Sequence, residues 1–113
     1  MTRVVFTKQR GGFKSVGITG HAGYAEEGED IVCAAITSAM QLLHILLDDV
    51  LLIDIDTEVD QEATFIRVTL PDNMTAEEDR EAQHALRALR VHYGELEKEY
   101  AQFIHVTEVQ HDA

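Results

Sequence analysis

The sequence predicts an α+β fold of order ββαββαβ, a mostly antiparallel sheet with two helices packed on one face. Three observations lead there. Two long stretches, Ile31 to about Asp49 and Thr75 to Phe103, repeat apolar residues every three or four positions, the helical period. Shorter stretches rich in β-branched residues alternate apolar and polar side chains, the strand period. Their order along 113 residues suits two layers around one core, a single domain spanning 1–113.

The first segment, TRVVFTKQ, mixes β-branched and polar residues and reads as a strand. RGG follows as a turn signal. FKSVGITG places Phe13, Val16 and Ile18 in imperfect alternation, so the two segments make a hairpin. A loop, GHAGYAEEGED, carries Gly20, Gly23 and Gly28. Beyond it, Val32, Ile36, Met40, Leu43 and Leu47 recur at helical steps. Ala35, Ala39, Leu42 and Leu46 widen that apolar face, which predicts a largely buried helix. VLLIDIDTEVD alternates from Leu52 onward and reads as a strand. ATFIRVTLP reads as another, closed by Pro71, with DQE as the turn between them. Thr75 and Glu78 form a T-x-x-E capping signature for the second helix. Its Ala82, Leu86, Leu89, Tyr93, Leu96, Tyr100 and Phe103 make one apolar stripe. IHVTEV alternates again and gives the last strand.

Composition and charge exclude several classes. Nine Lys and Arg against twenty-one Asp and Glu give a formal charge of −12. That balance lacks the basic footprint phosphate backbones require, so direct nucleic-acid binding is not expected. An acidic surface steers basic partners, although solubility alone accounts for most of such charge. No charged-then-apolar leader opens the chain. The longest apolar run is broken by Gln41, His44, Asp48 and Asp49 and reads as too short and too polar to cross a bilayer. The expectation is a cytoplasmic protein with no membrane partner. A single cysteine, Cys33, excludes an internal disulfide and fits a reducing compartment. His44, His84, His92, His105 and His111 show no metal-ligand spacing, and no phosphate-binding or dinucleotide glycine motif is present. No metal or cofactor is therefore expected. Asp54, Asp56, Glu58 and Asp60 alternate and read as the wet face of a strand.

The chemistry concentrates between Gly17 and Ala39, in GITGHAGYAEEGEDIVCAAITSA. Asp30 stands just before the apolar helical pattern and is an N-cap candidate, which puts Cys33 at the third helical position. A thiolate there meets the positive end of the helix dipole and unpaired backbone N–H groups, both of which favour the anion. The same donors can serve a developing oxyanion. His21 heads the glycine-bearing loop that feeds this helix and can fold back to the sulfur. A Cys–His pair is the minimum for an activated thiol nucleophile. Glycines 20, 23 and 28 permit close backbone approach or loop motion. Plainer readings stand beside these. A lone cysteine is most often a small buried hydrophobe. Asp30 caps the helix more readily than it orients His21 as a third triad member. Thr37 and Ser38, one turn after Cys33, back-bond within a helix more often than they touch substrate. Tyr24 is equally a loop anchor and a packing surface for an apolar peptide.

The stretch TGHAGYAEEGEDIVCAAITSA resembles the signature of the Prp ribosomal-processing cysteine proteases, the YsxB-like family. Their pattern is G-H-A, a short loop, G-x-D-x-V-C-A, then small and hydroxyl residues. It is matched here at Gly20, His21, Ala22, Gly28, Asp30, Val32, Cys33 and Ala34. Length, element order and the closing LEKEYAQFIHV extend the resemblance over nearly the whole chain. Two positions depart: Ala35 stands where many members have Gly, and Glu29 where several have Lys or Gln. The resemblance implies a bacterial cytoplasmic endopeptidase, active as a homodimer. Its implied substrate is the precursor of large-subunit ribosomal protein L twenty-seven, whose short apolar N-terminal extension ends in aromatic residues. It implies Cys33 as nucleophile, His21 as general base and a thioester intermediate. Asp30 is then the candidate orienting residue, and Gly20, Tyr24, Ala34, Thr37 and Ser38 are the candidate substrate contacts. The acidic surface suits a basic ribosomal substrate. Two rivals stand beside this: a non-catalytic ribosome-assembly protein using the same acidic surface, and a redox sensor. The sensor usually needs a resolving cysteine that this chain lacks.

Overall fold

The computed structural model describes residues 1–20 and 29–111, with Glu29 described in its backbone only. Strands β1 (Thr2–Gln9) and β2 (Gly12–Thr19) form the expected hairpin. Its turn sets Arg10 at φ 54° and Gly11 at φ 80°. Paired left-handed residues are what a two-residue hairpin turn needs to match the strand twist. Strands β3 (Asp56–Asp60) and β4 (Phe65–Thr69) form a second hairpin, and β5 (Ile104–Gln110) closes the chain. The sheet order is β3-β4-β2-β1-β5. Among the described strands only β1 and β5 run parallel, with Thr2 opposite Ile104 and Val4 opposite Val106.

Helices α1 (Glu29–His44) and α2 (Ala76–Glu99) bury their inner faces against one side of this sheet. Val4, Phe6, Val16, Ile18, Val68 and Val106 meet Val32, Ile36, Met40, Leu86, Leu89 and Tyr93 in one cluster. Each fully buried side chain of this kind contributes about 1.5–3 kcal/mol, so the cluster is the main source of stability. The α+β sandwich anticipated from the periodicities is the architecture found. α2 opens with the anticipated capping box: Glu78 N–H donates to Thr75 Oγ1 at 3.1 Å, and Thr75 N–H to Glu78 Oε1 at 2.9 Å.

Tyr93 joins the two helices. Its ring is wholly buried and its hydroxyl donates to the Ile36 carbonyl at 2.7 Å, one turn beyond Cys33. Burial pushes its ionisation far above the usual phenol range, so the hydroxyl stays a donor. Tyr93→Phe should therefore cost about 1 kcal/mol by chemical denaturation, the net value of one buried hydrogen bond. A variant as stable as the parent would show that this bond adds nothing.

Four local expectations are corrected. First, the helical run ends where expected, near Asp49, but its last six residues, Ile45–Val50, form a wider, π-helical turn, and it does not lead straight into a strand. That turn closes with Leu51 N–H donating to the Leu46 carbonyl (2.8 Å) and Ile53 N–H to the Leu47 carbonyl (2.9 Å). Leu52 takes φ 55° to make this closure, so β3 begins only at Asp56. The alternation from Leu52 onward is real, because Ile53 and Ile55 pack inward, but those residues are not in the sheet. Second, the outer face of α1 is open. Leu42 is 68% and Ile45 47% exposed, so the helix is not largely buried. Third, α2 ends at Glu99 rather than Phe103. The chain must turn there for β5 to run parallel to β1, and Phe103 enters the core from that turn. Fourth, by length and composition alone the continuous run Asp30–Val50 is long and apolar enough to cross a membrane. Within this domain Val32, Ile36, Met40, Leu43 and Leu47 of that run pack into the core.

Candidate active site

Cys33 is the fifth residue of α1, not the third, because the helix starts at Glu29. Asp30 is accordingly the second helical residue instead of the residue before the helix. An acid in the first turn still complements the helix dipole. The Cys33 side chain is half-buried and not in a disulfide. Its sulfur lies 3.4 Å from the Thr2 hydroxyl. Thr2 itself is 2% exposed, and its backbone N–H donates to the Phe103 carbonyl at 2.8 Å. The start of β1 therefore forms a fixed wall beside the thiol.

On its open side the sulfur borders a cleft of about 340 Å³. Ile18, Ile36 and Ile66 make its apolar floor, and Thr37 joins Cys33 along the helix wall. The β3–β4 hairpin supplies the opposite wall through Val59, Asp60, Gln61, Thr64 and Phe65. A second cavity of about 460 Å³ shares Ile18, Thr37, Val59 and Ile66 with the first. It continues along α1 past Met40 to His44. The two form one groove with Cys33 at one end. The groove stays open because α1 does not reach over β3, whose five residues are all exposed.

One hydrogen bond ties the hairpin to the mouth of this groove, and two more shape its loop. Gly20 N–H donates to the Thr64 carbonyl at 2.7 Å, tying the end of β2 to the hairpin loop. Asp60 Oδ1 accepts N–H bonds from Glu62 and Ala63, both at 3.1 Å, and shapes that loop. Asp60 is the one charged side chain among the described residues lining the Cys33 cleft. The Gly20 backbone is outside the left-handed region, and an added Cβ would meet Thr64 at an ordinary 3.5 Å. Its place in the cleft therefore follows from the chain path rather than from glycine's conformational freedom.

The groove brings Gly20, Cys33 and Thr37 together. Ser38 faces elsewhere and lines a wide apolar groove between the outer faces of α1 and α2, with Ala35, Leu42, Ala85 and Ala88. Ala34 is exposed and borders neither part of the Cys33 groove. Asp30 is exposed in the first turn. His21 and Tyr24, with Gly23 and Gly28, lie outside the described residues. Among the described residues no group of three or more His, Cys, Asp or Glu side chains is placed to hold a metal ion. Sequence reasoning missed Thr2 and the hairpin wall. Thr2 is 31 positions from Cys33, and the local sequence pattern does not show that β1 starts beside the thiol.

Comparison with known proteins bears on this geometry. Residues 1–105 match the family described as cysteine protease Prp. The chain is 28% identical over 100 residues to the ribosomal processing cysteine protease Prp of Bacillus subtilis, covering 85% of this chain and 86% of that one. It superposes with a TM-score of 0.84 and 25% identity on the essential ribosomal processing protease Prp from S. aureus in complex with a substrate peptide. That match covers 96% of this chain and 99% of the other. A second S. aureus Prp structure, with a covalently linked product peptide, gives a TM-score of 0.78 at 25% identity over the same shares.

Proposed function

Because the chain belongs to the cysteine protease Prp family, we propose that it removes the apolar N-terminal extension from the precursor of large-subunit ribosomal protein L twenty-seven, with Cys33 as nucleophile and His21 as general base. One observation carries this reading. The Cys33 sulfur opens onto an apolar groove, and Gly20, the residue preceding His21, lines the same cleft. Nucleophile, entry point of the base and a peptide-sized apolar surface thus converge on one feature.

The chemistry follows from those parts. His21 takes the thiol proton, and the thiolate attacks the scissile carbonyl carbon. Backbone N–H groups at the start of α1, which lack intrahelical acceptors, favour negative charge on the attacked oxygen. Protonated His21 then gives its proton to the departing amine, which is the new N-terminus of the mature protein. The extension remains on Cys33 as a thioester, and water activated by neutral His21 releases it as a carboxylate. Asp30 orients His21. Gly20, Thr37 and Tyr24 contact the substrate, which runs over Val59 and Ile66 toward His44. Ala34 and Ser38 border neither part of the groove and are left out of that surface.

The formal charge of −12 supports a basic substrate, whose approach it accelerates, and gives no footing for direct nucleic-acid contact. In this reading the enzyme works in the cytoplasm as a homodimer, with the apolar groove between the outer faces of α1 and α2 as a surface for the second copy. The test is incubation of the purified chain with a peptide spanning the extension and the first mature residues, read by mass spectrometry. Cleavage at a single bond between extension and mature sequence is expected. An intact peptide, with the protein bound to it, would favour a non-catalytic assembly factor instead.

A further inference from the structure

We propose that Thr2 is a positioning residue for the nucleophile: its buried hydroxyl fixes the Cys33 sulfur at the head of the groove and donates a hydrogen bond to the thiolate. This rests on the reading of Cys33 as the protease nucleophile. Thr2 lies outside the G-H-A and G-x-D-x-V-C-A segments that carry the family resemblance. Its place beside the sulfur comes from the sheet instead.

Three features of the position support the role. Thr2 Oγ1 and Cys33 Sγ are 3.4 Å apart, within hydrogen-bonding range for sulfur. The threonine is 2% exposed, so water does not compete strongly for its hydroxyl. Its backbone is pinned by the 2.8 Å bond to the Phe103 carbonyl and by pairing opposite Ile104. A β-branched side chain on a fixed backbone has few χ1 choices, so the hydroxyl is held where it is needed.

The direction of the effect follows from proton counting. In the neutral thiol either atom can be the donor. After His21 removes the thiol proton, sulfur has none left and only the threonine O–H can donate. The bond then becomes charge-assisted, which is roughly twice as strong as a neutral one. Thr2 therefore favours the thiolate over the thiol while pointing it at the groove. Among the described residues lining the cleft, Asp60 is the one charged side chain. Asp30 in the first turn of α1 and Asp60 at the hairpin lip are anions that oppose a thiolate. The Met1 amino group precedes β1, and Tyr93 of α2 keeps its proton.

The experiment compares the parent chain with Thr2→Val, which removes the hydroxyl and keeps the branched shape, and Thr2→Ser, which returns the hydroxyl. Two readouts are taken: the pH profile of Cys33 alkylation by iodoacetamide, and kcat and KM on the extension peptide. In Thr2→Val the alkylation midpoint should rise by about one pH unit, a tenfold loss of thiolate near neutrality. Its kcat should fall about tenfold, with KM changed less than about twofold, the signature of an interaction made at the reacting atom. Thr2→Ser should restore both to within about threefold. If Thr2→Val does not fold, as read by thermal melting, Thr2→Ala replaces it. An unmoved midpoint with parent-like kcat overturns the proposal. So does a fall in activity that leaves the midpoint in place and is not rescued by serine, since that is a packing effect. Cleavage that persists in Cys33→Ala would instead sink the nucleophile assignment itself, so the two failures are told apart.

Discussion

Cys33→Ala is expected to lower cleavage of the extended ribosomal precursor by at least about a thousandfold, the scale on which covalent catalysis collapses without its nucleophile. The fold should survive. The side chain is half-buried, and the change removes one sulfur atom from the groove end of α1. The Thr2 hydroxyl loses this partner, at a cost of about 1 kcal/mol, which lowers the melting temperature by only a few degrees in a domain of this size. Mass-spectrometric cleavage assays and a melting curve on the same preparation separate the two effects. Near-parental cleavage by folded Cys33→Ala would place the nucleophile elsewhere. Loss of activity with loss of fold would call for Cys33→Ser, which retains a polar atom at the same site.

His21→Ala is the second large effect. Loss of the general base should cost at least about a hundredfold in kcat/KM. Most of the loss should fall on kcat, because the groove walls formed by Ile18, Thr37, Val59 and Ile66 remain to bind peptide. The measurement is steady-state kinetics with the same peptide, alongside binding of the peptide to inactive Cys33→Ala with and without the second change. A loss below tenfold would remove His21 from the mechanism. A large loss confined to binding would make it a substrate contact rather than a base.

The legible parts of this protein are those where one residue type has one physical use. Thr75 and Glu78 announced the start of α2 because a reciprocal cap needs that spacing, and the structure contains both bonds. Arg10 and Gly11 sit in the turn that RGG announced. The apolar stripes of both helices pack where their period places them. Legibility failed where tertiary context decides. Ile53 and Ile55 alternate like a strand, yet they plug the core from an irregular segment, because Leu52 turns the chain in a left-handed conformation that no local signal requires of a leucine. Leu42 and Ile45 extend an apolar face that nothing in the described monomer covers. At the site, Cys33 and the helix that carries it were readable from the motif. The wall of the groove was not, since Val59, Thr64 and Thr2 reach the thiol through strand pairings whose register the local pattern does not encode. Cys33 also lies two positions deeper in the helix than the N-cap pattern predicts, because α1 begins before the apolar pattern does.

The most direct test of the account is to label the enzyme with a peptide that carries the apolar extension and ends in a chloromethyl ketone where the cleaved bond would begin. Such a probe binds as substrate does, and a thiolate placed to attack the carbonyl displaces its chloride to form a thioether. Tandem mass spectrometry then locates the modification while residual cleavage is followed. The account predicts one label per chain, on Cys33, with activity lost in proportion. Full labelling of Cys33 with cleavage intact, or inactivation with the label on another residue, would contradict it.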